Sequence, residues 1–586
     1  MKNLIKVALG QEPADLVVKN GQIVNVASGE IYPGGVAVSG DKIAAIGDVD
    51  YTIGPNTQVV DAQGAFITPG FVEGHIHPES SNLSLPRFAE VVLAHGTTSV
   101  FSDLHEIGVV GGLPAIEASL KEVRRTPLKL YFVIPSHVPF SPGLETSGGY
   151  IDSTVIAENI QREDVVGLSE IVSLYVIFGH PDLLRSIDLA SHQRKILAGH
   201  GPETHGPAWN AFVATGIFND HEALSVEEVL LRVRNGVHAQ LRHNLIVPTL
   251  PELLKALTEK HVDSRFLSLV TDDTSAVALT ENGHLDYLVR LALSQGVDFV
   301  KAIQMVTINA AASFRKEDEI GLLAPGRYAD INITSGPEDF KVLLTIANGK
   351  VVAKENRLIE PLPDISHDPL LLNTFHLKGK IESQDLLIPA PQGASKVKVH
   401  FMKTLPWIPI TEGGEAILQV ESDFIACDPS QDILHIAVIE RHQATGNIGK
   451  AFIGGFGLKR GAMASSIAHD NHNIVVMGIS PQDMAVAANR VAELSGGIVL
   501  AERGKVVDEI PLPIAGLLSD LDAWSFAQKR KEILAKAREM GCQVHEPFMF
   551  LSFITLAALP AFAITDKGYV DVSKQQFLDP VLGVAG

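Results

Sequence analysis

At Ile67-Thr68-Pro69-Gly70-Phe71-Val72-Glu73-Gly74-His75-Ile76-His77 the chain changes texture. Before it lie short β-rich runs, Asp15 to Val18, Gln22 to Val26, Gly35 to Ser39 and Lys42 to Ile46, punctuated by the turn pairs Asn20-Gly21 and Gly40-Asp41. Such a string predicts a small antiparallel sheet or sandwich. After it, as far as about Phe314, short apolar runs alternate with amphipathic segments. The runs are Thr97 to Phe101, Leu128 to Ile134, Val165 to Leu168, Lys195 to Ala198, Ala214 to Phe218, Gln240 to Ile246 and Phe266 to Val270. Between them Leu83 to Ala94, Ile151 to Ile160, Val226 to Arg234, Leu250 to Lys260 and Leu285 to Ser294 read as helices. A βα alternation repeated about eight times over roughly 250 residues predicts an α/β fold, a (β/α)8 TIM-like barrel whose catalytic residues follow its strands.

Working outward, the β texture returns after the barrel at Ala329 to Ile333, Val342 to Ala347 and the turn Asn348-Gly349. The predicted organisation is a β-sandwich built from residues 1–65 and 319–362 around a barrel of 66–318. A C-terminal α+β domain, 370–586, follows, with helices at Pro481 to Leu494 and Asp522 to Met540. Pro361-Leu362-Pro363 and His367-Asp368-Pro369 read as the linker.

Composition excludes several classes. Of 586 residues, 46% are hydrophobic and 20% charged, which is globular rather than disordered. A net charge of −21 repels phosphate backbones, so nucleic acid is not an expected partner. Two cysteines, Cys427 and Cys542, are too few for a disulfide framework, a cysteine-based zinc site or a cytidine-deaminase-type site. No secretory leader is read at the N-terminus, and a reducing cytoplasm is expected. The uncharged run Phe548 to Ile564 is almost long enough to span a bilayer. Pro560, Ser552 and Thr555 interrupt it, and its flanks, Glu546, Asp566 and Lys567, lack basic bias. It is expected to be a core segment, not a membrane anchor.

Histidines and carboxylates recur at the predicted strand ends. In His75-Ile76-His77 the two imidazoles point to the same side of a strand and can share one ion. Glu170 follows Val165 to Ser169, His200 follows Ile196 to Gly199, His221 follows Ile217 to Asp220, and Asp272-Asp273 follow Phe266 to Val270. Each alone is a weak signal. Together they form a nitrogen-and-oxygen donor set suited to zinc, iron or manganese. Six ligands can hold two ions and a bridging hydroxide at neutral pH, which predicts hydrolytic attack on an electrophilic carbon. An Asp at the last strand can also take a proton from the attacking water.

The order of sandwich, His-x-His strand, later ligands and returning Pro325-Gly326-Arg327-Tyr328-Ala329-Asp330 resembles the amidohydrolase superfamily. Within it the chain resembles the adenine deaminase family over nearly its full length. The motifs are His75 to Ser81, Asp103-Leu104-His105-Glu106-Ile107, Asn219-Asp220-His221-Glu222, Glu281 to Tyr287, Ala468-His469-Asp470-Asn471-His472-Asn473 and Pro511 to Leu517. The resemblance implies that His75 and His77 hold one metal with Asp272, that Glu170 bridges, and that His200 and His221 hold the second. It implies attack at C6 of adenine, proton relay by Asp272 or a nearby glutamate, and hypoxanthine and ammonia as products, a purine-salvage reaction. Glu79, His105, Glu106 and Asp273 are implied substrate contacts or partners of the ligands. Manganese is the favoured ion, and a homo-oligomer is expected. His469, Asp470 and His472 look metal-like; the resemblance puts them outside the barrel, as structural or pocket-covering groups. The chain departs from the family pattern at His137, where cysteine is frequent, and at Leu241-Arg242-His243-Asn244, where Arg-Glu-Gly-Ser is common. Another purine-like amidine or cyclic amide is the alternative substrate, and a non-catalytic scaffold the remaining reading.

Overall fold

The structure, a computed structural model, describes residues 2–244, 246–362, 366–405, 410–558 and 561–585. Pro363 of the expected linker and Pro560 of the apolar run lie outside the described residues. The barrel strands are β1 (Phe71–Glu73), β2 (Thr97–Ser102), β3 (Lys129–Pro135), β4 (Val165–Val172), β5 (Ile196–His200), β6 (Asn219–Asp220), β7 (His238–Arg242) and β8 (Leu267–Val270). They form one eight-stranded sheet in chain order, every neighbouring pair parallel. Closure comes from the residues just beyond β1 and β8. Ile76-His77 pairs in parallel with Asp272-Asp273, the Asp272 N–H donates to the His75 carbonyl at 3.1 Å, and Gln240 Nε2 donates to the Gly74 carbonyl at 2.9 Å.

The alternation expected from the apolar runs is therefore present, with two local differences. Ala214 to Phe218 is not a strand: the helix Gly206–Ala214 runs into it, Gly216 turns the chain at φ 96°, and the strand is the polar pair Asn219–Asp220. Ile217 is apolar because it is buried under that turn. Leu250 to Lys260 is two short helices, Leu250–Leu253 and Lys255–Thr258, with Pro251 in the first turn.

A nine-stranded sheet flanks the barrel. Leu16–Asn25, Glu30–Ser39, Lys42–Gly47, Gln58–Asp61 and Phe66–Pro69 precede the barrel, and Ile331–Thr334, Val342–Ala347, Lys350–Lys354 and Arg357–Leu358 follow it. The two segments join where Ile331–Thr334 runs antiparallel to Phe66–Pro69. The sheet is mixed rather than wholly antiparallel, because Leu16–Asn25 pairs in parallel with Gln58–Asp61 and Phe66–Pro69. Val18, Ile23 and Val36 pack against Ile331, Ile333 and Ile346 in one core. Lys129 of β3 ties this sheet to the barrel, its Nζ lying 2.7 and 2.8 Å from the two Asp330 carboxylate oxygens.

Beyond the linker a ten-stranded sheet carries the helices Pro481–Glu493 and Ala523–Glu539. The apolar run divides into the helix Pro547–Phe553 and the strand Phe562–Thr565. Phe548, Phe550, Leu551 and Ile564 are buried in the core, and among the described residues no helix is long and apolar enough to cross a membrane. The C-terminal domain docks on the barrel through main-chain contacts such as Ser519 N–H to the Asn82 carbonyl, 2.8 Å. His367 clamps the linker between the two: Nδ1 is 3.1 Å from Glu122 Oε1 and Nε2 is 3.4 Å from Asp520 Oδ2.

Those carboxylates, Asp520 first and Glu122 second, outweigh burial and push the His367 imidazolium up to about 9. The folded value exceeds the unfolded value of about 6.5, so the clamp's contribution is fully present below pH 6.5 and fades as pH rises through 9. Thermal midpoints of the wild type and His367→Gln, measured from pH 6 to 10, are expected to differ most at pH 6 and to converge toward pH 10.

Candidate metal centre and active-site cavity

The six expected ligands come from the ends of five strands and meet at one end of the barrel. Nε2 of His75 lies 3.4 Å from Glu170 Oε1 and 3.3 Å from Asp272 Oδ1. Nε2 of His77 lies 3.7 and 3.6 Å from the same two oxygens. On the other side His200 Nδ1 is 2.7 Å from Glu170 Oε2, and His221 Nε2 is 3.8 Å from Glu170 Oε1. The rings of His75 and His221 stack at 3.7 Å. Three overlapping groups each bring their ligand atoms within 4.8 Å of one another: His75, His77 and Glu170; Glu170, His200 and His221; His75, His221 and Asp272.

The donors fit a metal better than they fit each other. His75 Nε2, Glu170 Oε1 and His200 Nδ1 are buried and have no hydrogen-bond partner, although opposite charges lie a few ångströms away. Donors about 2.0–2.1 Å from a shared tetrahedral ion sit about 3.3 Å apart, the spacing found around His75. The backbone is bent to reach it. β4 shifts register between Leu168 and Ile171, Glu170 has φ 31° and Asp272 φ 57°. A non-glycine residue enters this region at a cost on the order of 1–3 kcal/mol, which the surrounding pairing must hold in place.

Two residues given no role by sequence reasoning set the electrostatics. Arg242, at the end of β7, grips Glu222 with both Nη atoms at 2.7 and 3.0 Å and reaches Asp272 Oδ2 at 2.7 Å. Glu222 Oε1 in turn lies 3.1 Å from His221 Nε2. Burial opposes ionisation of Asp272, yet Arg242 and His75 hold its carboxyl well below the usual range. Burial likewise opposes ionisation of Glu170, and His200 and His221 prevail. Glu222 directly follows a ligand histidine and Arg242 ends a strand, so the strand-end rule that found the others applied to both. Behind the centre, Glu73 accepts the N–H groups of His75 and Thr271, each at 3.0 Å, and burial pushes its carboxyl up to about 8.

The centre opens into a cavity of about 870 Å³, within the usual range for small-molecule sites. His105, Glu106 and Asp273 line it, and Glu79 lies behind them with Oε2 lacking a partner. Both His105 nitrogens are also without partners, and Asp273 Oδ1 accepts from Ser80 Oγ. Asp103 Oδ1 is 3.5 Å from His77 Nδ1. Asn244 lines the cavity, whereas His137 does not: its Nδ1 meets Ser136 Oγ at 2.7 Å, its Nε2 meets the Phe140 carbonyl at 3.1 Å, and burial lowers it to about 3. The C-terminal domain supplies His469, Asp470, Phe553 and Leu556 to the opposite wall.

Arg242 fixes one oxygen of Asp272 and leaves the other facing His75, so it acts on the ligand set from behind. Arg242→Ala is expected to weaken divalent-cation binding about 10- to 100-fold, measured by competition with a chromophoric chelator. Unchanged affinity would show that the Arg242 contact does not orient the ligand.

A model of the amidohydrolase family matches residues 66–352, and a model of the adenine deaminase C-terminal domain matches residues 409–576. An adenine deaminase of Clostridium botulinum is 38% identical over 587 residues, covering 98% of this chain and 97% of its own. One of Rubrobacter xylanophilus is 39% identical over 586 residues, covering 98% and 96%. Adenine deaminase 1 of Latilactobacillus sakei is 37% identical over 586 residues, covering 100% and 98%. With alignments at this identity that span nearly the whole of both chains, the chain belongs to the adenine deaminase family of amidohydrolases.

Proposed function

We propose that the chain hydrolyses adenine at C6, giving hypoxanthine and ammonia, at a pair of divalent cations held by His75, His77, Glu170, His200, His221 and Asp272. The observation that carries this reading is the convergence of six nitrogen and oxygen donors, in three overlapping groups, beside one cavity. The donor set suits manganese, iron or zinc, and manganese is the ion we favour. When bound, such ions supply an activated water at neutral pH.

The chain's own residues hold, orient and move protons. Asp272, ionised and pinned through Oδ2 by Arg242, receives the proton that water gives up as its oxygen bonds to C6. It then passes that proton to the exocyclic nitrogen; the C6–N bond breaks, ammonia leaves, and the second water proton moves from the oxygen to N1, so that the ring keeps the oxygen as the 6-oxo group. His105 and Asp273 offer donors and acceptors to the ring nitrogens, while Phe140, Leu174 and Phe553 supply apolar wall that orients a flat base. The free thiols of Cys427 and Cys542 fit the reducing cytoplasm in which we place the enzyme.

The test is ammonia release from adenine by metal-stripped protein reconstituted with manganese, followed also by the shift of the purine absorbance band. Turnover is expected in the wild type, with kcat lower by about 100-fold or more in Glu170→Gln and Asp272→Asn. A metal-loaded centre without turnover would sink the adenine reading and direct the search to other purine-like amidines and cyclic amides.

A further inference from the structure

A separate group of donors meets where the C-terminal domain faces the barrel. Glu106 lies in the first turn of the helix His105–Val123 that follows β2. His469 and Asp470 lie in the loop between the strands Ala462–Ser465 and Ile474–Gly478. His469 Nε2 is 3.2 Å from Glu106 Oε1, and the ligand atoms of Glu106, His469 and Asp470 all fall within 4.8 Å of one another. All three residues line the cavity.

The imidazole is held from behind and left open in front. His469 Nδ1 is 2.6 Å from Ser552 Oγ, which also accepts the His469 N–H at 3.0 Å, and the ring stacks on Phe553 at 4.8 Å. The residue is 4% exposed, yet Nε2 has no hydrogen-bond partner. Glu106 is oriented in the same way. His472 Nδ1 accepts the Ala468 N–H, which leaves the proton on Nε2 to donate to Glu106 Oε2 and frees Oε1 to face His469. The corner is also short of positive charge. Glu79, Glu106, Asp273 and Asp470 surround it, and among the described residues no Lys or Arg forms an ion pair with any of them.

We propose that Glu106, His469 and Asp470 form a further cation site, apart from the six-residue centre. It takes one divalent first-row transition ion and pins the C-terminal domain across the mouth of the barrel. One imidazole and two carboxylates suit manganese or zinc, and the cysteine-free set does not favour softer ions.

Full-length protein is stripped with chelator, saturated with manganese(II) or, separately, zinc(II), freed of loose metal by gel filtration, and its bound metal counted per chain. Three ions are expected in the wild type and two in His469→Gln and in Asp470→Asn, with unchanged circular dichroism. One ion is expected to survive in a Glu170→Gln, His200→Ala double variant. The third equivalent is also expected to raise the thermal midpoint of the wild type but not of Asp470→Asn. Two ions in the wild type would overturn the proposal. So would a third ion retained in both His469→Gln and Asp470→Asn, since it would then be held elsewhere on this acidic surface.

Discussion

Four residues close the barrel, and the site depends on that closure. Ile76-His77 and Asp272-Asp273 pair in parallel, although nearly two hundred residues separate them in the chain. Without this pairing β1 and β8 would be free sheet edges. With it, His75 and His77 are set beside Asp272, and Glu170 on β4 reaches the same point from across the ring. The left-handed backbone of Glu170 and Asp272 is the local cost of aiming both carboxylates inward, and the surrounding ladders hold them there.

Charge balance accounts for the next layer. Glu170 and Asp272 are buried carboxylates, and Arg242 with the four imidazoles answers them in part. Arg242 also takes up Glu222, so one cation disposes two acids around His221 and Asp272. Among the six ligands, His75 Nε2, His77 Nδ1, Glu170 Oε1 and His200 Nδ1 are buried without a hydrogen-bond partner. The C-terminal domain completes the enclosure. Its loop at His469 to His472 lies against Glu106, so the barrel's catalytic face looks into a chamber with two walls from different domains.

Much of this was legible in the sequence because it is local. Apolar runs of strand length between amphipathic helices declare a βα alternation, and a ligand directly after each run falls on the catalytic face wherever the run is a strand. The reading failed where local pattern and burial diverge. In Ala214 to Phe218 only Ile217 is buried, Ala214 and Gly216 being exposed, while the true strand, Asn219–Asp220, is fully buried yet polar, its side chains bonded to the Ser313 carbonyl, the Gly201 N–H and Arg232. The sheet before the barrel looked antiparallel because turn pairs announce hairpins, whereas its parallel partners, Gln58–Asp61 and Phe66–Pro69, return by longer connections. The links from Arg242 to Glu222 and Asp272 span 20 and 30 residues, and Glu106 and His472 are 366 apart. Periodicity carries no signal over such distances; only the folded barrel and the docked domain bring these groups together.

The central claim is that six strand-end side chains hold two ions with Glu170 between them. The most direct measurement is an anomalous difference map from crystals of the manganese-loaded protein. The account predicts two peaks within the six-residue centre, apart from any at Glu106, His469 and Asp470: one contacted by His75 and His77, the other by His200 and His221, with Glu170 touching both. A single peak there, or Glu170 turned away from either ion, would contradict it.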